Sequence, residues 1–288
     1  MSFHALGNHF ETLTELALKS LNAEAMQSLN VLKECTGLIS LSLEESQAST
    51  TDLEHRHNDV FLEIVAWLQE CKSLKKVQLS RFFSGPALLA PLLMDETLHI
   101  QELELDGYVM RPAMAFHRAL AHHTSLRSLS LKGEGDENGR EGYDILTDSI
   151  CQLEGLTDLR LQRIADYFDD DNICRLARSL PKLEVLVVGG WDITDAVLKE
   201  LRALSSLKML QFNAITNFTT LAIMEFILSL GPGNKGFALS ILMSDMESDL
   251  EPYERLHIAE TLEAEVQGRF EFMTLRGTCC EPNQELGA

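Results

Sequence analysis

The chain has 288 residues, 45% hydrophobic and 24% charged, a globular composition rather than a disordered one. Its 44 acidic and 24 basic side chains give a formal charge of −20 at pH 7. Such a charge repels phosphate backbones and anionic lipid surfaces, which argues against nucleic acid or membrane as a partner and favours a protein with a basic surface; acidity also serves solubility alone.

Met1 to Leu21 carries His4, His9, Glu11 and Glu15, which break a signal-peptide core. No apolar run approaches the roughly 20 residues that span a bilayer. The expected location is the cytoplasm, with the nucleus as the alternative. In that setting Cys35, Cys71, Cys151, Cys174, Cys279 and Cys280 are expected as free thiols, since no two form a C-x-x-C pair.

From Leu13 onward a short strand signature recurs, with apolar residues at its first, fourth and sixth places. The copies are Leu13-Leu16-Leu18, Leu38-Leu41-Leu43, Leu74-Val77-Leu79, Ile100-Leu103-Leu105, Leu126-Leu129-Leu131, Leu156-Leu159-Leu161, Leu183-Leu186-Val188 and Leu207-Leu210-Phe212. Their first positions are spaced 25, 36, 26, 26, 30, 27 and 24 residues apart. A second pattern precedes each strand. Three residues before stand Cys35, Cys71, Thr97, His123, Leu153, Leu180 and Leu204. Six before stand Leu32, Leu68, Met94, Leu120, Ile150, Ala177 and Leu201, and ten before Ser28, Ile64, Ala90, Phe116, Leu146, Ile173 and Val197. These offsets share one side of a helix, so each unit reads as strand, turn and amphipathic helix, and the alternation implies a parallel sheet.

This pattern resembles the leucine-rich repeat family, and at mostly 24 to 30 residues per unit it is most similar to the ribonuclease-inhibitor-like branch. The resemblance covers Leu13 to Phe212 and implies an α/β horseshoe solenoid with a parallel concave sheet and helices on the convex side. The asparagine or cysteine that the family places after the strand is weakly kept. The expected division is a solenoid of about eight repeats over 1–230, an irregular last repeat with a C-terminal cap over 231–276, and a flexible tail over 277–288. Pro252 suits the first turn of a helix over Glu251–Val266, and Phe237–Ile241 and Arg269–Phe272 alternate like strands. The first signature leaves little room for a cap. Met1–Phe10 forms a minimal one, or a partner covers that end, or the chain is part of something longer.

Residues between the strand leucines face the concave side. Glu102, Glu104 and Asp106 put three carboxylates on one strand, and Arg160 follows two strands on. Val185, Val187 and Met209 are apolar, with Trp191 close after. These eight residues are the expected partner-binding set: an acidic zone beside an apolar one. The bland alternative is a solvated strand face whose apolar residues the C-terminal segment shields.

Other features favour structural readings. The insertions at Glu45–His57 and Lys132–Tyr143 read as tolerated polar loops. The acidic run Asp166–Asp171 lacks the ligand spacing of a calcium loop and reads as a loop entering a helix at Asn172. His123 sits where other units place Cys or Leu, and Cys35 and Cys71 share a repeat slot, so all three read as packing residues. The loop Gly231–Gly236 lacks the G-K-[ST] ending of a phosphate loop. No metal, cofactor or catalytic constellation is expected. Ile193-Thr194-Asp195 and the 231–236 loop resemble fungal F-box/leucine-rich repeat proteins, although an F-box is not apparent. That resemblance implies substrate recognition for an SCF-type ubiquitin ligase, with ligase subunits as partners.

Overall fold

The computed structural model describes residues 9–46, 51–108, 113–133, 140–244 and 249–274. Among the described residues ten strands form one open sheet in chain order, every neighbouring pair parallel. They are β1 (Glu15–Leu21), β2 (Ser40–Glu45), β3 (Lys76–Ser80), β4 (Glu102–Tyr108), β5 (Ser128–Gly133), β6 (Asp158–Gln162), β7 (Val185–Thr194), β8 (Met209–Asn217), β9 (Ala238–Ser244) and β10 (Arg269–Thr274). The first eight are the eight sequence signatures. β9 and β10 extend the same ladder, with Met209 opposite Ala238 and Ala238 opposite Arg269.

The helices return the chain between strands. They are α1 (Ala23–Gln27), α2 (Leu53–Arg56), α3 (Asn58–Glu70), α4 (Gly85–Leu93), α5 (Met114–Leu120), α6 (Arg140–Ile150), α7 (Asp170–Ser179), α8 (Asp195–Leu201), α9 (Thr220–Leu228) and α10 (Pro252–Val266). Strands stack about 4.8 Å apart, whereas helices need about 8–10 Å, so the array bends with its sheet on the inner side. The result is a leucine-rich repeat solenoid. Its core is a continuous apolar seam between sheet and helices, from Leu16 to Val266.

The helix register departs from expectation in one unit. At the three offsets the side chains are buried, or half-buried at Ser28, in every unit except the one before β4. There Met94 and Thr97 are exposed, while Leu88, Leu92 and Leu98 are buried. The turn explains this. In five other units the first strand leucine donates its N–H to the residue three before, as Leu74 does to Cys71 and Leu126 to His123. Here Leu98 makes that bond, to Asp95, and Ile100 opens the strand. The helix is therefore phased on Leu98 and the strand on Ile100, with two residues inserted between them.

The weak asparagine position has a related cause. Eight residues after the first strand leucine stand Leu21, Phe82 and Ile164, all buried. In these units the chain turns inward on an apolar side chain instead of an amide. The residue just before, Ser20, Arg81 or Arg163, is left-handed, as is Gly107 at the same place in the β4 unit.

The insertion after β2 contains α2, whose N-cap Asp52 accepts from the His55 N–H at 3.0 Å. Residues 134–139 of the Lys132–Tyr143 insertion, together with Cys279, Cys280 and the expected tail, lie outside the described residues.

Candidate functional site

The eight residues singled out from sequence all lie on the sheet's inner face or at its rim, on β4, β6, β7 and β8. Their surroundings differ. Glu102 is exposed and its Oε2 stands 2.7 Å from Lys76 Nζ on β3. Asp106 pairs with Lys132 on β5 at 3.2 Å. Glu104, between them, has no ion pair or hydrogen bond among the described residues. It stands opposite Gln78 on one side and Ser130 on the other. The short serines of β5 leave a shallow depression of about 240 Å3 bounded by Lys76, Glu102, Glu104 and Arg160. Arg160 is held by Asp158 on its own strand, Nε to Oδ1 at 2.8 Å.

The apolar group is not contiguous with the acidic one. β5 and β6 intervene, so three strand spacings, about 14 Å, separate β4 from β7. Val185 and Met209 are half-buried neighbours in register. Val187 is only 1% exposed. It lies between the longer side chains of Arg160 and Gln211 and forms floor rather than contact surface.

Trp191 is different again. It leaves the face at the C-terminal end of β7, 56% exposed, and its ring stacks on Tyr167 with centroids 6.1 Å apart and planes 25° apart. Tyr167 is itself 51% exposed and touches Tyr143 of α6, which packs edge-on against buried Phe168. The exposed pair is thus anchored on a buried one. The Trp191 N–H also donates to the Phe168 carbonyl at 2.8 Å, tying the loop after β6 to β7. Gly190 permits that approach: a Cβ there would meet Ile193 side-chain carbons at 2.7 Å and the Phe168 carbonyl at 3.2 Å.

Beside this pair opens a cleft of about 670 Å3. Arg163, Asp166 and Gly190 line it together with Gln211 and Asn213, whose side chains are joined at 3.0 Å. Burial raises the Asp166 carboxyl above the ordinary range, against a smaller lowering by Arg163. In the sequence Tyr167 and Asp166 read as part of an acidic loop. The available signal was two aromatics, Tyr167 in the loop after β6 and Trp191 near the end of β7, at similar places in consecutive units.

The rest of that acidic run is structural. Asp169 caps α7 in a reciprocal box with Asn172, so the helix begins at Asp170, two residues before the expected entry at Asn172. Asp170 accepts from the backbone N–H of Thr194 at 2.9 Å and from its hydroxyl. Among the described residues no cluster of three or more His, Cys, Asp or Glu side chains is arranged to hold a metal ion.

The thiols are poor nucleophiles. Burial pushes Cys71 up to about 12 and Cys174 up to about 11, so both stay protonated at neutral pH. His57 accepts from or donates to Gln27 at 3.0 Å, a link between neighbouring units. Among the described residues no helix is long and apolar enough to cross a membrane.

No protein-family profile matches the chain, and no curated protein matches it in sequence. Among solved structures the fold is similar to that of a chain in the crystal structure of the Rad7 and Elc1 complex in yeast. The TM-score is 0.52 at 13% identity, over 93% of this chain and 71% of that one. At that identity the likeness establishes a shared fold.

Proposed function

We propose that this protein is a non-catalytic scaffold that binds a partner protein on the inner face of its sheet. The observation that carries the reading is the cleft at the C-terminal ends of β6 to β8, where an exposed, stacked aromatic pair stands on rigid elements. Exposed aromatics anchored from beneath are the usual energetic centres of protein interfaces, and a preformed sheet lowers the ordering cost of binding. The net charge of −20 favours a partner with a basic surface and steers its approach.

The test is affinity capture from a native cell extract with wild-type protein, Trp191→Ala and Glu104→Lys. Glu104 is the informative acidic position, because reversing Glu102 or Asp106 would also strand Lys76 or Lys132. One partner retained by wild type and lost from Trp191→Ala supports the reading. Identical capture by all three proteins would sink it.

A narrower reading is substrate recognition for an SCF-type ubiquitin ligase. It rests on the resemblance of residues 193–195 and 231–236 to F-box repeat proteins, and the similar fold solved as a two-protein complex is consistent with it. Ligase subunits captured equally by all three baits would favour it.

A further inference from the structure

We propose that the cleft beside Tyr167 and Trp191 is a pocket for a single cationic side chain, arginine or lysine, presented by the partner. This rests on the scaffold reading and specifies the chemistry of its anchor.

Three observations point to a cation. Two aromatic rings line the cleft and are half exposed; they stack on each other and Tyr167 rests against Tyr143, so the pair is ordered before a cation arrives. Asp166 supplies a carboxylate whose charge is poorly solvated, and a bound cation restores what burial removes. The protein as a whole carries −20, so a basic segment is its electrostatic complement. The amides complete the pocket. The Gln211 side-chain nitrogen donates to the Asn213 side-chain oxygen, which leaves the Gln211 oxygen and Asn213 amide hydrogens for the peptide carrying the cation. Arg163 is the opposing feature. It lies near enough to lower the Asp166 carboxyl yet makes no ion pair with it among the described residues, so it competes for that carboxylate.

An apolar anchor makes less use of these groups. A leucine or phenylalanine side chain would cover Asp166 and deepen its desolvation without compensating it.

The probe is acetyl-Gly-Arg-Gly-amide, titrated into the full chain and followed by the two tryptophan indole N–H resonances. Trp67 is an internal control, since it is buried and its indole donates to the Cys35 carbonyl at 3.1 Å. The expected result is a saturable shift of the Trp191 signal alone. Asp166→Asn and Tyr167→Ala each weaken it about threefold to tenfold, and Arg163→Ala strengthens it. An unchanged Trp67 resonance together with an unchanged urea midpoint certifies each variant's fold. The leucine and glutamate tripeptides are expected to give no saturable shift. No response to the arginine peptide, or an equal response to the leucine or glutamate peptide, overturns the cation pocket. Those outcomes leave partner capture through Trp191 intact, whereas cation binding without any partner captured would overturn the scaffold reading instead.

Discussion

His123 Nε2 accepts the backbone N–H of Ile100 at 2.9 Å, while its Nδ1 donates to the Leu93 carbonyl at 3.3 Å. The same slot holds Leu153, Leu180 and Leu204 in later units. The imidazole is used here because the unit before β4 has two extra residues between its turn and its strand, and their buried backbone groups need partners. His123→Leu preserves the packing but orphans a donor and an acceptor. We expect it to destabilise the protein by about 2–3 kcal/mol, measured by urea unfolding, although leucine fills that slot in three later units.

Stability should fall on acidification for a related reason. Burial alone depresses His117 from 6.5 to about 4, and burial also lowers His123. The folded state therefore favours the neutral rings. Their contribution is complete above the unfolded value of 6.5 and is lost as the pH drops toward 4. For His117 the loss amounts to about 3 kcal/mol. Urea midpoints at pH 7.0, 5.5 and 4.5 should decline steeply for wild type and less steeply for His117→Gln. Parallel declines would contradict the assignment.

The loop at 231–236 docks on the preceding unit. Asn234 is buried and donates to the Leu204 and Leu207 carbonyls at 3.2 and 2.9 Å. A Cβ on Gly233 would lie 2.2 Å from the Ser205 carbonyl oxygen, whereas one on Gly231 meets nothing within 4 Å. Gly233→Ala is expected to cost about 2 kcal/mol or more and Gly231→Ala little, read as a lowered melting temperature for the first alone.

A side-chain ladder joins the later helices. The first residue of α7, Asp170, accepts from Thr194, the N-cap of α8; the first residue of α8, Asp195, accepts from Thr219, the N-cap of α9, at 2.9 Å from its N–H and 2.8 Å from its hydroxyl. Asp195→Ala should cost about 1–2 kcal/mol. In Asp195→Ala, amide exchange should quicken at Thr219 more than at Thr157, which has no such partner in the preceding helix; equal change would rule the ladder out.

The sheet was legible in the sequence because its period survives on side-chain identity alone. A buried strand position accepts any aliphatic or aromatic residue, and Leu, Val, Ile and Phe all appear there. The slipped helix before β4 was not legible, since Met94 and Thr97 fit the pattern as well as Leu92 and Leu98 until the turn bond from Leu98 to Asp95 is known. On the inner face, position was readable and availability was not. Val187 alternates correctly yet is covered, and Glu102 and Asp106 are matched by lysines 26 residues away in sequence. The aromatic cleft was half visible: Trp191 stood out, but its pairing with Tyr167 depends on how the loop after β6 meets the C-terminal part of β7.

The most direct test of an inner-face scaffold is hydrogen exchange of the protein alone and with its captured partner bound. Slowed exchange at the C-terminal ends of β6, β7 and β8 and in the 163–168 loop, with the outward surfaces of α7 to α9 unchanged, is the expected result. Protection confined to those helices, with Trp191 and Tyr167 untouched, would contradict it.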